Sequence, residues 1–357
     1  MRPRRQSSGP SGSIFPSSRT EEDKLSVVSP VERSSIAEER CTVAPEPRLE
    51  LFDVPVPADL RRYGERVQAS ALGDPSNPPV LVLGGISANC FPASRPDGRL
   101  GWWPGLVGHD CLIDPARFYI LGVDFAADES GASAPTTADQ ARIIAAALDV
   151  VGIDRPCLVI GASYGAMVGL ALAQAEPRRV ERLVAISAAA EPHPASTAAR
   201  ELQRRVVALG IASGQSDEAL AIARGLAMLT YRTPDEFGYR FAGGIEDECP
   251  TCVSEPGSYL GARGKAFRSV MSPGRFLSLS ASIDRHRVDP AKISAPCLVI
   301  GANSDQLVFP EDLRRLADEL TGDAEVHILD TLFGHDMFLK ESIRVGKIME
   351  PFLAARG

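Results

Sequence analysis

The sequence lacks the features that mark membrane proteins and general nucleic-acid-binding proteins. No apolar run approaches the length that crosses a lipid bilayer, so we expect no membrane-spanning segment. Acidic residues outnumber basic ones, 46 Asp and Glu against 38 Lys and Arg, and the formal net charge is -8. A chain of this charge is not attracted to polyanions in general, so we expect no nucleic-acid partner.

Cysteine usage excludes a further class. Seven cysteines scattered along 357 residues are an odd number and do not form the disulfide framework of a small secreted protein. Cys111, Cys157 and Cys297 lie in or beside apolar runs, which is typical of reduced core residues. Cys249 and Cys252 form one Cys-x-x-Cys pair, and a zinc site would need two more ligands, so no metal is expected. These features predict a reducing, cytoplasmic location.

The remaining composition is that of an ordinary globular protein, and its pattern changes along the chain. Residues 1–45 are rich in Ser, Pro, Arg and Glu, which predicts a disordered tail or a start placed too far upstream. Residues 46–190 alternate short apolar strands with helical patterns, and residues 289–357 return to that pattern. Residues 191–288 between them have helical periodicity only. We therefore predict an α/β fold, a mostly parallel sheet with helices on both faces, interrupted by a helical lid.

The most informative motif is Gly-Ala-Ser-Tyr-Gly at residues 161–165, between a short apolar run and an alanine-rich helical pattern. Gly-x-Ser-x-Gly between a strand and a helix is typical of a nucleophile elbow, a sharp turn that exposes the serine hydroxyl. The two glycines leave room for neighbouring chain to pass close by. The pattern therefore predicts Ser163 as a nucleophile.

A carboxylate and a histidine follow this serine in chain order. Asp305 comes soon after an apolar run, and His335 follows the last predicted strand. A serine attacks only when a base takes its proton, and histidine can take and return a proton near neutral pH. A buried carboxylate then fixes the histidine tautomer. The order Ser163, Asp305, His335 is that of the α/β-hydrolase triad, and we predict this triad here.

Other acids and histidines compete for these roles. Asp330 is the rival of Asp305, although it precedes His335 by too few residues to come from a separate strand. His327 lies inside an apolar strand pattern, which indicates a structural role. The remaining histidines lie outside any strand end that the sequence identifies: His109, His193 and His286.

Several further blocks surround these candidate residues. They are Leu-Gly-Gly-Ile-Ser-Ala-Asn at 83–89, Gly-Trp-Trp at 101–103, Thr-Tyr-Arg-Thr at 230–233, Arg-Gly-Lys-Ala-Phe at 263–267, Ser-Ile-Asp at 282–284, Ser-Asp-Gln-Leu-Val at 304–308 and Gly-His-Asp-Met-Phe-Leu at 334–339. With these blocks the chain resembles the homoserine O-acyltransferases of the α/β-hydrolase superfamily over roughly residues 60–345. General esterases lack the Gly-Trp-Trp, Thr-Tyr-Arg and Gly-His-Asp blocks together.

The resemblance implies an activity and its co-substrates. The enzyme would transfer an acyl group from acyl-CoA to the hydroxyl of L-homoserine, in methionine biosynthesis, through an ester on Ser163. The backbone N–H of Tyr164 and that of Gly85 or Ile86 would hold the oxyanion. The donor would be acetyl-CoA or succinyl-CoA, with acetyl favoured, and no bound cofactor or metal is expected. A homodimer is implied as well.

The resemblance also implies how homoserine is held. Arg232 would pair with its carboxylate, because a planar guanidinium suits that group, and Asp336 would receive its ammonium. Tyr231 would form part of the pocket wall. A succinyl donor would need an additional cation, and the candidates are Arg263, Arg285 and Arg287.

Two other enzyme activities fit the same residues. An L-serine O-acyltransferase would use the same contacts to carboxylate and ammonium. An ester or thioester hydrolase of the same fold would use the triad with water as acceptor. The elbow reads Gly-Ala-Ser-Tyr-Gly where the family commonly has Gly-Gly-Ser-Met-Gly, so the acyl donor stays open. A binding protein derived from this fold would need a broken triad, and the triad residues are all present.

Overall fold

The computed structural model describes residues 48–241, 244 and 252–355, which belong to one unit spanning residues 46–357. The tail predicted for residues 1–45 lies outside the described residues, and so does Cys249 of the Cys-x-x-Cys pair. Cys157 and Cys297 are buried as expected, whereas Cys111 is only half-buried.

Eight described strands form one sheet. The strands are β1 Leu49–Pro55, β2 Arg66–Leu72, β3 Pro79–Leu83, β4 Tyr119–Val123, β5 Cys157–Ala162, β6 Val180–Ile186, β7 Cys297–Ala302 and β8 Ala324–Leu329. Their order is β1-β2-β4-β3-β5-β6-β7-β8. β2 pairs antiparallel with both β1 and β4, and all other neighbours are parallel. This confirms the predicted, mostly parallel sheet.

The central strands are short apolar runs because both of their faces are covered. Every residue of β3, β4, β5 and β7 is buried. Successive side chains of a strand point to opposite faces. Accordingly Leu81 and Leu83 join one hydrophobic cluster, whereas Val80 and Val82 join a second. Helices therefore cover the sheet on both faces, as the sequence pattern predicted.

From β4 onward the described helices separate successive strands, and five of them lie together between β6 and β7. The helices are α1 Thr137–Val151, α2 Tyr164–Ala175, α3 Pro194–Ala212, α4 Ser216–Tyr231, α5 Pro234–Arg240, α6 Glu255–Phe267, α7 Pro273–Asp284, α8 Pro310–Glu319, α9 Met337–Lys340 and α10 Ser342–Ala354. Short 3-10 helices cover Ala58–Tyr63, Pro177–Arg179, Pro290–Lys292 and Gly334–Asp336. No helix of the described residues is long and apolar enough to span a bilayer.

Local sequence explains where α1 begins and ends. The Thr136 side chain accepts a hydrogen bond from the Asp139 backbone N–H, and the Asp139 side chain accepts one from the Thr136 N–H. This reciprocal pair satisfies two N–H groups that the first turn of a helix leaves free. The helix ends at Gly152, which adopts the left-handed conformation that glycine tolerates best.

Helices α3 to α7 lie between β6 and β7, in the interval where a helical lid is predicted. α3 packs against α4 and α7, and α4 packs against α6. Among the described residues of this interval no strand is found. The exact bounds of the lid, residues 191–288, stay a prediction.

Candidate active site

Ser163 occupies a sharp turn between β5 and α2. Its backbone φ of 54° lies in the left-handed region, which is uncommon for a residue with a side chain. A Cβ on Gly161 would lie 2.4 Å from the Ala166 Cα, and one on Gly165 would lie 2.2 Å from the Leu83 carbonyl oxygen. Only glycine fits at both places, so the motif folds as the elbow that it predicts.

Ser163, His335 and Asp305 form one hydrogen-bonded row. The Ser163 Oγ lies 2.8 Å from His335 Nε2, and His335 Nδ1 lies 2.8 Å from Asp305 Oδ2. The other Asp305 oxygen accepts the backbone N–H groups of Leu307 at 2.8 Å and Val308 at 3.2 Å. These bonds hold the carboxylate in one orientation behind the imidazole. The three residues predicted from chain order are therefore brought together, while their catalytic role stays a prediction.

Among the described residues none of the rivals is hydrogen-bonded to Ser163, although His193 lines the same cavity. Asp330 is exposed and accepts a hydrogen bond of 2.7 Å from the Asn303 side chain. His327 on β8 is half-exposed and lies 3.7 Å from Glu325. His193 begins α3, where its Nδ1 accepts the Ala195 N–H. The histidine that is hydrogen-bonded to Ser163 is His335, so the geometry favours His335 as the base.

The surroundings of His335 raise the pKa of its imidazole. Burial by itself lowers the pKa of a histidine, because it disfavours the charged imidazolium. The negative charge of Asp305 and its hydrogen bond outweigh burial, so the pKa of His335 lies above its ordinary value. A raised pKa strengthens the ring as acceptor of the serine proton.

The loop after β3 and the start of α2 meet at Ser163. Gly85 and Ile86 line the same cavity as Ser163 and His335. Tyr164 is the first residue of α2, so its backbone N–H has no acceptor within the helix. The Tyr164 side chain points into the core, where its hydroxyl lies 2.5 Å from Ser282 Oγ and burial raises its pKa to about 12. Tyr164 therefore offers the site its backbone N–H alone.

A cavity of about 180 Å³ opens above Ser163. Tyr231 lines it, and its ring stacks on His335 with centroids 5.8 Å apart. Asp336, beside His335 in the chain, lines it as well. Burial raises the pKa of Asp336, although the positive charges of Arg232 and His335 oppose the shift. A cation entering the cavity would therefore find a carboxylate that gains from a positive partner.

Arg232 is not among the residues that line the Ser163 cavity. Its Nη1 donates to Glu236 at 2.5 Å, and its Nε lies 3.5 Å from Asp336 without forming a hydrogen bond. It lines a neighbouring pocket with Tyr259 instead. Arg232 thus meets two carboxylates of the protein itself, and its predicted contact with a substrate carboxylate stays a prediction.

Several residues that line the cavity do not follow from the sequence pattern. Arg224 of α4 lines it, and so does Trp102, whereas Trp103 is buried and donates its indole N–H to the Phe338 carbonyl at 3.0 Å. The cations considered for a succinyl donor do not line it: Arg263, Arg285 and Arg287. Which residues line the cavity depends on which face of each helix between β6 and β7 is turned toward it. Helical periodicity in the sequence does not determine that face.

The described residues hold no group of three or more His, Cys, Asp or Glu side chains arranged for a metal ion. The site brings together a serine hydroxyl, a histidine ring and backbone N–H groups. This set is suited to acyl transfer through a covalent serine ester.

Comparisons with known proteins agree with this geometry. The family model described as the alpha/beta hydrolase fold matches residues 78–342. A homoserine O-succinyltransferase of Xanthomonas campestris is 40% identical over 84% of this chain and 82% of the relative. A homoserine O-acetyltransferase of Thermus thermophilus is 30% identical over 73% of this chain and 74% of the relative. The solved homoserine O-acetyltransferase of Bacillus anthracis superposes with a TM-score of 0.77, at 16% identity, over 88% of this chain and 99% of that one. The chain belongs to the homoserine O-acyltransferase family of the α/β-hydrolase fold.

Proposed function

We propose that this protein transfers an acyl group from acyl-CoA to the hydroxyl of L-homoserine, with Ser163 carrying the acyl group between the two. The observation that carries this proposal is the row of Ser163, His335 and Asp305, which opens into a cavity with Asp336 beside the histidine. The names of the related proteins support the same activity.

The first half-reaction forms the acyl-serine. His335 Nε2 takes the Ser163 proton while the serine oxygen attacks the thioester carbonyl, and the positive imidazolium is stabilised by Asp305. The backbone N–H of Tyr164 and that of Gly85 or Ile86 would stabilise the oxyanion. The carbon–sulfur bond then breaks, and the CoA sulfur leaves with the proton from His335.

The second half-reaction repeats these steps with an amino-acid hydroxyl. His335 takes the proton of the homoserine hydroxyl, whose oxygen attacks the acyl-serine, and Ser163 leaves with that proton. The Asp336 carboxylate would receive the acceptor ammonium, which is supported by its place in the lining of the Ser163 cavity beside Tyr231, whose ring stacks on His335. Holding the acceptor in this way favours its hydroxyl over water.

The acyl donor is a short-chain acyl-CoA, acetyl or succinyl. Relatives of both names match this chain, with the succinyl name at 40% identity and the acetyl name at 30%. The test is a CoA-release assay with each donor, combined with homoserine, serine or no acceptor. We expect release that depends on homoserine and is absent in Ser163→Ala. Release at the same rate without any amino acid would favour the hydrolase and contradict the transferase.

A second copy of the chain is the proposed partner, and the support is an apolar stripe on the lid helices. On α3, Leu202 and Leu209 are 58% and 71% exposed, and on α4, Ile222 and Leu229 are 50% and 46% exposed. Residues seven apart lie on the same face of a helix, so the two members of each pair point the same way. Light scattering should show a homodimer that Leu209→Glu dissociates, and a monomeric wild-type protein would contradict this.

The cytoplasmic location stays a prediction.

A further inference from the structure

A second cavity among the described residues lies beside the Ser163 cavity and is lined mainly by positive side chains. Its volume is about 360 Å³, and its walls come from the end of α4 and from α5, α6 and α9. The lining includes the cations Arg232, Arg240, Arg263 and Lys340, together with Glu236 and Tyr259. Four cations face one carboxylate here, in a chain whose net charge is -8. We name this cavity the basic pocket.

Glu236 does not neutralise the basic pocket. Its Oε1 accepts one hydrogen bond from Arg232 Nη1 at 2.5 Å and another from Arg240 Nη1 at 3.0 Å. One carboxylate therefore serves two guanidinium groups. The same two groups lie over the Tyr259 ring, 5.5 Å and 4.6 Å from its centroid. These contacts hold both arginines in place and leave an excess positive charge inside the pocket.

Arg263 of α6 and Lys340 of α9 add two more cations. Both side chains are exposed, and among the described residues neither of them forms an ion pair or a hydrogen bond. Like charges gathered in one place repel each other, and a bound anion relieves that repulsion. A guanidinium can bind two phosphate oxygens at once, and a lysine ammonium binds phosphate as a point charge. The free donors of this pocket therefore suit a phosphate group.

The basic pocket borders the Ser163 cavity along two chain segments. Tyr231 lines the Ser163 cavity, and Arg232, the next residue, lines the basic pocket. In the same way Leu339 lines the Ser163 cavity, and Lys340 lines the basic pocket. Leu339 is 45% exposed, so the Ser163 cavity reaches the surface at α9. A long substrate that leaves the cavity there would pass next to the basic pocket.

We propose that the basic pocket binds a phosphate group through Arg240, Arg263 and Lys340. Two sources can bring this group. One is the acyl-CoA donor, whose phosphates lie at the far end of the molecule from its thioester, and this source rests on the proposed function. The other is free inorganic phosphate, which does not depend on that function. The chemistry of the contact is the same in both cases.

The competing explanation is that these cations are merely solvated. Exposed Lys and Arg side chains attract any anion weakly, at long range and without a defined geometry. Loss of any positive charge nearby would then have the same effect. Lys265 provides this comparison, because it is an exposed lysine of α6, two residues after Arg263, and does not line the basic pocket.

The first experiment measures KM for two donors in the wild-type protein and three variants. One donor is acetyl-CoA or succinyl-CoA, whichever the wild-type protein uses, and the other is the pantetheine thioester of the same acyl group, which lacks every phosphate. If the donor brings the phosphate, Arg263→Gln and Lys340→Gln should each raise KM for the acyl-CoA about 10-fold, corresponding to about 1.4 kcal/mol. With the pantetheine thioester both variants should match Lys265→Gln. A lid that was merely loosened would affect both donors alike.

The second experiment needs no catalysis. Inorganic phosphate should raise the melting temperature of the wild-type protein above that in sodium chloride of the same ionic strength, because a ligand of the folded state stabilises it. The double variant Arg263→Gln with Lys340→Gln should lose this rise, and Lys265→Gln should keep it.

Together the two experiments identify the source of the phosphate. A change in KM that is specific to acyl-CoA assigns the donor, whereas loss of the phosphate-dependent rise without a change in KM assigns free phosphate. The proposal is overturned if neither measurement separates the double variant from Lys265→Gln. A wild-type protein that releases no CoA from either acyl-CoA would reject the proposed function, and the melting temperatures would still decide whether the basic pocket binds phosphate.

Discussion

His286 is a buried histidine outside the triad. Its protonation is expected to make the free energy of unfolding depend on pH. Its Nε2 lies 3.0 Å from the Ala189 carbonyl oxygen, and its Nδ1 lies 2.8 Å from Thr137 Oγ1. Because a carbonyl only accepts, Nε2 carries the hydrogen and Nδ1 accepts the Thr137 hydroxyl. A second proton would have to sit on Nδ1, and it would break that hydrogen bond at a position away from water.

The size of this pH dependence follows from the pKa of His286. Burial lowers the pKa of His286 from 6.5 to about 4. Above neutral pH the His286 ring is neutral in both the folded and the unfolded chain. Its protonation therefore takes nothing from the free energy of unfolding in that range. As pH falls through 6.5, the unfolded chain takes up a proton that the folded chain refuses until about pH 4. At about 1.4 kcal/mol per pH unit, the free energy of unfolding should fall by about 2.5 kcal/mol between pH 7.5 and pH 4.5.

Urea denaturation of the wild-type protein and His286→Gln at both pH values measures this effect. Glutamine can donate to the Ala189 carbonyl but does not titrate, so its variant should lack this part of the pH dependence. Ionisations shared by both proteins, including those of the carboxylates and His335, cancel in the difference between them. If the two proteins lost the same free energy of unfolding between pH 7.5 and pH 4.5, the assignment of a depressed pKa to His286 would be wrong.

Three other predictions concern the catalytic row and the elbow. Asp305→Asn should lower kcat by roughly 10⁴-fold with little change in thermal stability, because the imidazole loses its orienting carboxylate. In the wild-type protein kcat/KM should fall toward acid with an apparent pKa above the ordinary histidine value, since His335 must be neutral to act, and Asp305→Asn should move this limb to lower pH. Gly165→Ala should destabilise the fold by at least 1 kcal/mol, because its Cβ would meet the Leu83 carbonyl at 2.2 Å. Gly261→Ala within α6, where a Cβ meets nothing within 4 Å, is the control and should stabilise by up to about 1 kcal/mol.

The residues of the catalytic row could be predicted because a parallel sheet aligns the ends of its strands. Ser163 follows β5 and Asp305 follows β7, while His335 comes after β8, so all three start from the same edge of the sheet. Chain order and strand patterns are properties of the sequence itself. The elbow was predictable as well, because its glycines are needed where neighbouring atoms leave no room for a Cβ.

The lid could not be predicted to the same depth. Helical periodicity indicates helices between β6 and β7, but the packing of α3, α4, α6 and α7 decides which side chains reach the cavity. Arg232 was selected by resemblance, and in the structure it is engaged by Glu236. Arg224 lies two turns earlier on α4 and carried no signal of its own, because an isolated arginine on a helix is ordinarily solvated.

In the proposed reaction an acyl group rests on Ser163 and leaves to an amino-acid hydroxyl rather than to water. Intact-protein mass spectrometry after mixing with acetyl-CoA or succinyl-CoA detects such an adduct and follows its decay. We predict an acyl adduct that maps to Ser163, is absent in Ser163→Ala, and disappears much faster when L-homoserine is added than in buffer alone. An adduct on another residue, or one whose decay is indifferent to homoserine and serine, would contradict the account.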